Sequence, residues 1–296
     1  MPDILLPFVF EASDVRGAVV DLDATWRQVL ANRDYPPPVR KLLGEAMAAA
    51  ALLSSTLKFD GTLVLQTRAA DAEAPVRVMV VECNAALEMR ATATLGGELP
   101  EGDGHSLASL VGNGSLVITL DPRDGKEAYQ GVVALEGDHL ALALENYMMR
   151  SEQLDTRIHL AADGTRAAGL LVQRMPGDGG TGFVASNWDE ASILAGTLSP
   201  GELLSLEPRQ ILRRLFHEHD LRLFDERGTA FRCSCSRQRV GDMLRMLGRQ
   251  EVESIIADEG RVSVDCEFCH QVYAFDPIDA AQLFIAGAGP ASSARH

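Results

Sequence analysis

Lysine is almost missing from this sequence. Lys41, Lys58 and Lys126 are the only three, and all basic residues together number 27 against 42 acidic ones, a net charge of −15. Nucleic-acid binders need a basic stripe to displace counterions from phosphates, and none is visible. The same deficit argues against an anionic membrane surface. Long apolar runs are also lacking. The stretch Met47 to Leu53, which Ala46 extends by one residue, is mostly alanine and falls far short of the ~20 residues that span a bilayer. The N-terminal MPDILLPFVFEASD is broken by Pro7 and has Asp3 where a secretory leader would carry lysine or arginine. These absences point to a cytoplasmic protein with neither nucleic acid nor membrane as partner. No Ser-His-Asp, Cys-His or paired-carboxylate arrangement stands out, so an enzyme is not expected.

What is present suffices for two domains. The chain has 296 residues, 46% of them hydrophobic, and a domain typically takes roughly 100–200. Between Gly61 and Leu135 the runs GTLVLQTR, PVRVMVVEC, LEMRATAT, SLVITLD and YQGVVAL are short, rich in Val, Leu and Thr, and separated by Gly, Asp and Pro. They read as strands. YPPPVRKLLGEAMAAAALLSSTLKFDG before them reads as one long helix, with its prolines at the start and Asp60-Gly61 at the stop. Its alanines suit a helix packed closely on other elements. A second helix is predicted over Leu140 to Leu154, then strands in TRIHLA and AAGLLVQR. Strands and helices in blocks favour α+β over regular βαβ alternation. The predicted organisation is an N-terminal mixed sheet-and-helix core (1–179), a helical linker (180–230) that includes PRQILRRLFHEHDLRLF, a small zinc-binding domain (231–286) and a disordered tail (287–296). Within the small domain, Ser236 can cap a helix through Met246, a second helix fits Gln250 to Ala257, and Asp276-Pro277 can begin a third. VSVDCEFCHQVYAF reads as a hairpin.

Cysteine is scarce but unevenly placed. Cys83 stands alone, at the end of a strand-like run, and suits a small buried hydrophobe. Cys233 and Cys235 form C-S-C, and Cys266 and Cys269 form C-E-F-C, 30 residues later. Zinc prefers tetrahedral thiolate and imidazole ligands, commonly two from each of two short loops. Four thiolates describe a closed, non-catalytic site for one zinc ion per chain. Such a zinc often does no more than staple a small domain. Cys266 to His270 also matches the C-x-x-C-H of covalent haem, but that would leave Cys233 and Cys235 unexplained. A thioredoxin-type C-x-x-C would need a βαβ context that is not evident.

Two residues apart in extended chain, Cα atoms stand at about 6–7 Å, near the upper edge of disulfide range. C-x-x-C at a turn is also within range, so each pair could oxidise locally. Structural zinc is worth roughly 10–16 kcal/mol in small peptides. A region of ~55–60 residues rarely draws more than about 3–5 kcal/mol from its own core. Loss of zinc should therefore unfold this region. Spacing alone leaves open whether the site is a switch or a staple.

Across residues 10 to 285 the sequence resembles the heat shock protein 33 family of redox-regulated chaperones. The resemblance rests on FRCSCSRQRV, EVESIIADEG and CEFCHQVYAF in the C-terminal part, and on the long alanine-rich helix segment, YQGVVAL, YMMRSEQLDTRIHL and GLLVQRMP before it. It implies that Cys233, Cys235, Cys266 and Cys269 hold zinc in a reduced, inactive protein. Hypochlorite, or peroxide with heat, then forms disulfides between near neighbours, by position Cys233–Cys235 and Cys266–Cys269. Zinc leaves, the C-terminal region unfolds and the linker loosens. Exposed apolar surface then holds unfolded client proteins without ATP, and the active form tends to be a homodimer. The alternative, from the cysteine spacing alone, is a constitutive zinc-binding interaction protein.

Three further signals are set aside. Gly177, Gly179 and Gly182 fit G-x-G-x-x-G but lack a βαβ unit, and Phe183 and Val184 stand where a phosphate loop needs Lys and Ser/Thr. His217 and His219, read as lying on a helix, would point apart, which suits a solvated face better than a metal. His270 follows a ligand cysteine, but four thiolates need no fifth ligand.

Overall fold

A computed structural model of the chain describes residues 3–11, 13–56, 60–99, 105–122, 127–135, 137–176 and 187–285. The glycine-rich 177–182 and the tail expected at 287–296 lie outside the described residues. The chain divides into two compact units, Met1–Arg232 and Cys233–His296.

The first unit opens with two strands that the sequence pattern did not announce, β1 (Ile4–Phe10) and β2 (Val15–Leu22), followed by helices α1 (Ala24–Asn32) and α2 (Pro37–Thr56). The predicted strands follow as β3 (Gly61–Arg68), β4 (Val76–Asn84) and β5 (Glu88–Leu95), then the short helix α3 (Leu107–Val111), β6 (Ser115–Pro122) and β7 (Tyr129–Ala134). After these come α4 (Leu140–Arg150), β8 (Thr156–Ala162) and β9 (Ala167–Arg174), then α5 (Trp188–Ala195), α6 (Pro200–Ser205) and α7 (Pro208–Phe216). Three short strands close the unit, β10 (Leu221–Leu223), β11 (Arg227–Gly228) and β12 (Ala230–Phe231). The second helix thus ends at Arg150 rather than Leu154. The stretch PRQILRRLFHEHDLRLF is not helical throughout. It stops at Phe216, with His217 as C-cap, because Leu221–Leu223 is taken up as an edge strand beside β1.

One sheet runs β10-β1-β2-β9-β8, with β11 also on β1; the other runs β12-β5-β4-β3-β6-β7. Between them lies α2, buried from Val39 to Leu53 at nearly every position. From Ala46 to Leu53 the helix is apolar on every side and needs cover all round. Leu63, Leu65, Val81, Met89 and Ala91 of one sheet and Ala18, Val20, Leu22 and Leu171 of the other supply it. Alanine at 46 and 48–51 and Gly44 let the strands approach, and a Cβ on Gly44 would stand 2.5 Å from that of Ala162. The first sheet is apolar on its far side too. There Leu6, Phe8, Phe10, Val15 and Val19 pack under Ala191, Leu203, Ile211, Leu215 and Phe216 of α5, α6 and α7. The α+β class expected from the sequence holds. No described helix is long and apolar enough to cross a membrane.

The second unit contains α8 (Arg237–Leu247), α9 (Arg249–Glu259), the hairpin β13 (Val262–Asp265) and β14 (Val272–Phe275), and α10 (Pro277–Ile285). Each lies where the sequence predicts it, within two residues at the ends. Its fully buried core is small, comprising Leu244, Val252, Val262, Phe275 and Ala280. Arg237 ties α8 to the rest, donating to the Ala274 carbonyl (2.7 Å) and to Asp279 (2.6 Å) while lying over the Phe275 ring.

Two substitutions in α2 test this packing. Gly44→Ala favours helix by propensity alone, yet it should cost about 1–3 kcal/mol in urea unfolding, because the new methyl has no room. Glu45 is largely buried, and burial raises its carboxyl to about 7 despite Lys41 at 3.8 Å. A raised folded-state pKa means the native state binds the extra proton. Stability from this group is therefore complete below the unfolded carboxylate value and falls as pH rises to about 7. Glu45→Gln should flatten the decline in stability between pH 5 and pH 8, read by thermal melts.

Candidate metal centre

The four C-terminal cysteines reach one point from two different kinds of backbone. Cys233 and Cys235 sit in the irregular segment between β12 and α8, and Ser234 between them is exposed. Cys235 immediately precedes Ser236, whose hydroxyl accepts from the Arg239 N–H and caps α8. The cap fixes the backbone next to Cys235 and so helps set where its side chain points. Cys266 and Cys269 flank the loop of the β13–β14 hairpin. The Cys266 N–H donates to the Gln271 carbonyl (3.1 Å) and the His270 N–H to the Cys266 carbonyl (2.8 Å). His270 closes the turn in the left-handed region at φ 54°. It is exposed and is not one of the clustered groups.

The four sulfurs all lie within 4.8 Å of one another. Cys233 and Cys266 Sγ are 3.6 Å apart, and Cys235 and Cys269 Sγ 3.4 Å. Sulfurs bound at ~2.3 Å in a tetrahedron stand about 3.8 Å from one another, so this donor set could hold a metal ion. All five cysteines of the chain carry thiols rather than disulfides. Burial pushes the Cys266 and Cys269 thiols up, the latter to about 12. Tyr273, opposite Val264 in the hairpin, donates its hydroxyl to Cys235 Sγ (3.1 Å). That bond is the first cause raising the Tyr273 hydroxyl to about 12. The sequence had not singled out Tyr273. Its one signal was a position in the strand leaving the C-E-F-C loop.

The other residues weighed from sequence lie elsewhere. Cys83 is buried in the first unit, and burial raises its thiol to about 11, as suits an inert core side chain. His217 and His219 are not on a helix face as expected, since α7 has ended. His217 is exposed, while the His219 ring packs edge-on against Phe10 at 5.2 Å.

Fold and site together define a two-unit α+β protein whose smaller unit gathers four thiols into a metal-competent cluster. The chain belongs to the Hsp33 protein family, which it matches over residues 3–276. It is 48% identical to the 33 kDa chaperonin of Methylobacillus flagellatus, covering 95% of this chain and 94% of that one. Against the 33 kDa chaperonin of Ectopseudomonas mendocina it is 47% identical over the full length of both. The crystal structure of the 33 kDa chaperonin from Thermotoga maritima shares its fold, with a TM-score of 0.82, 20% identity and coverage of 97% of this chain and 99% of that one.

Groups that hydrogen-bond to ligand atoms typically contribute 10–100-fold to metal affinity. Tyr273→Phe should therefore weaken metal retention roughly tenfold or more in competition with a chromophoric chelator. Unchanged retention would mean that the hydroxyl does not support Cys235.

Proposed function

We propose that this protein is a redox-regulated, ATP-independent holdase, with Cys233, Cys235, Cys266 and Cys269 as ligands of one zinc ion in the reduced form. Zinc is favoured because four thiolates suit a soft-ligand, tetrahedral ion. When bound, the ion serves as a cross-link between the C-S-C and C-E-F-C segments. The observation that carries the proposal is the convergence of all four thiols in a unit whose core is five buried side chains. So small a core gives such a unit little independent stability.

Oxidation of the four thiolates to Cys233–Cys235 and Cys266–Cys269 disulfides passes four electrons to the oxidant, two per bond. Hypochlorite, reduced to chloride, takes two electrons per molecule, so two molecules suffice. Disulfide sulfurs are poor ligands, so Cys233, Cys235, Cys266 and Cys269 would no longer hold the ion, and one long cross-link would give way to two short ones. The second unit then unfolds. It exposes apolar groups in addition to Met243, Met246, Leu247, Val272, Ile278 and Ile285, which are already exposed. The segment 180–230 acts as a linker that loosens with it. Its helices α5–α7 cover the far face of the first sheet, so their release uncovers Phe8 and Phe10 of that sheet and exposes Phe216 of α7. Unfolded clients bind these surfaces, and the oxidised form associates as a homodimer. The net charge of −15 keeps such a protein in solution. The proposed location is the cytoplasm, and the proposed role is not enzymatic.

Zinc release and light scattering, followed together, test this. Reduced protein is treated with hypochlorite in the presence of a thermally unfolding client. About one zinc per chain should appear, and aggregation should be suppressed only after oxidation. Zinc release with unchanged or greater aggregation would make the metal a structural staple and the protein a constitutive zinc-binding module.

A further inference from the structure

The first unit contains a polar row, with one charge, where its alternation calls for apolar residues. In β2, Ala18, Val20 and Leu22 face the space between the sheets. Arg16 continues that series on the same side, two residues before Ala18. It pairs in register with Gln173 of β9, which pairs in turn with Thr156 of β8. The three polar side chains therefore form a row across three strands, and two of them, Gln173 and Thr156, are buried. Arg16 donates through Nε (3.0 Å) and Nη2 (2.6 Å) to Gln173 Oε1. Gln173 donates to Thr156 Oγ1 (2.9 Å), and that hydroxyl to the Leu154 carbonyl (3.1 Å). The chain of bonds holds the guanidinium fast with neutral partners only. Among the described residues no carboxylate pairs with it. A half-buried charge without a counterion is costly, and burial lowers the Arg16 pKa accordingly.

Arg16 lines a cavity of about 300 Å³ whose other walls are mainly apolar, chiefly Leu53, Leu63, Ile118, Met148 and Leu154. Tyr147 and Tyr129 also line it. The Tyr147 ring lies against Gly131, where a Cβ would stand 2.6 Å from it. Its hydroxyl donates to Glu152 (2.8 Å), an exposed residue that also lines the cavity and whose carboxylate is engaged by that bond rather than by Arg16. The wall beside Arg16 is made by SEQLDT, which the metal centre does not use. There Gln153 takes φ 57°, uncommon for a non-glycine residue, and the Leu154 N–H closes on the Met148 carbonyl (3.0 Å). Apolar walls around a few fixed polar groups are the makings of a small-molecule site.

We propose that this cavity binds a small aliphatic monocarboxylate, its chain among Leu53, Leu63, Ile118 and Met148 and its carboxylate on the Arg16 guanidinium. The row Thr156–Gln173–Arg16 orients the guanidinium, and the ligand supplies the missing counterion. A cavity of about 300 Å³ has room for one short chain and not for a folded partner. The site is independent of the four cysteines and of the proposed redox function.

Calorimetric titration of the reduced full-length chain with sodium octanoate, and separately with octan-1-ol, tests the assignment. Octanoate should bind saturably at one per chain, and octanol roughly tenfold or more weakly, since a charge-assisted hydrogen bond is lost. Arg16→Gln should lose about as much affinity for octanoate and none for octanol. Methionine-methyl NMR locates the site without any substitution: octanoate should shift Met148 and leave Met243 and Met246 unmoved. Absence of saturable octanoate binding, equal binding of octanol, full affinity in a folded Arg16→Gln protein, or an unmoved Met148 would each overturn the proposal.

Discussion

Buried at every position from Ala46 to Leu53, α2 has no side free to face water over that stretch, and it imposes that constraint on the whole first unit. Two sheets must enclose it, so each turns one apolar face inward. The sheet containing β1, β2, β9 and β8 is apolar on the opposite face as well, and that face needs a second cover. The helices α5–α7 provide it. Within the segment expected as a linker, Ala191, Leu203, Ile211, Leu215 and Phe216 pack on that face. In the proposed mechanism this gives its loosening a physical consequence, because what it uncovers is the apolar back of a sheet.

The second unit obeys the opposite rule. Its fully buried core is five residues, and several large apolar side chains remain on its surface. What orders its two loops is local hydrogen bonding, the Ser236 cap on one side and the hairpin turn at His270 on the other. These place four sulfurs within 4.8 Å, with Tyr273 donating to one of them. So small a core leaves the unit little stability of its own. Membership of the Hsp33 family is consistent with such an arrangement, and the relatives are named for chaperone function.

Arg16 shows the same physics at a different place. A charge set into the inward face of a sheet can persist when polar neighbours hold it and a counterion can reach it. Gln173 and Thr156 meet the first condition. Local sequence gave little sign of them, since a lone arginine in VRGAVVDL, a glutamine near the end of AAGLLVQR and a threonine opening TRIHLA are each unremarkable apart. Strand register brings them together. The first two strands were likewise hidden, because Pro7 and Gly17 interrupt runs that only pairing across β1, β2 and β9 makes regular.

Much of the molecule was legible in residues that act on their near neighbours. Strand alternation from β3 to β7, the alanine-rich helix, the Ser236 cap, the hairpin and the ligand spacing of the four cysteines all depend on interactions within a few residues, and local sequence carries those. The end of α7 at Phe216, the packing of His219 on Phe10, the donation from Tyr273 to Cys235, and the row from Thr156 to Arg16 were decided only in three dimensions. Each depends on a partner brought close by sheet pairing or helix packing, and a side chain's local sequence does not say which partner that will be.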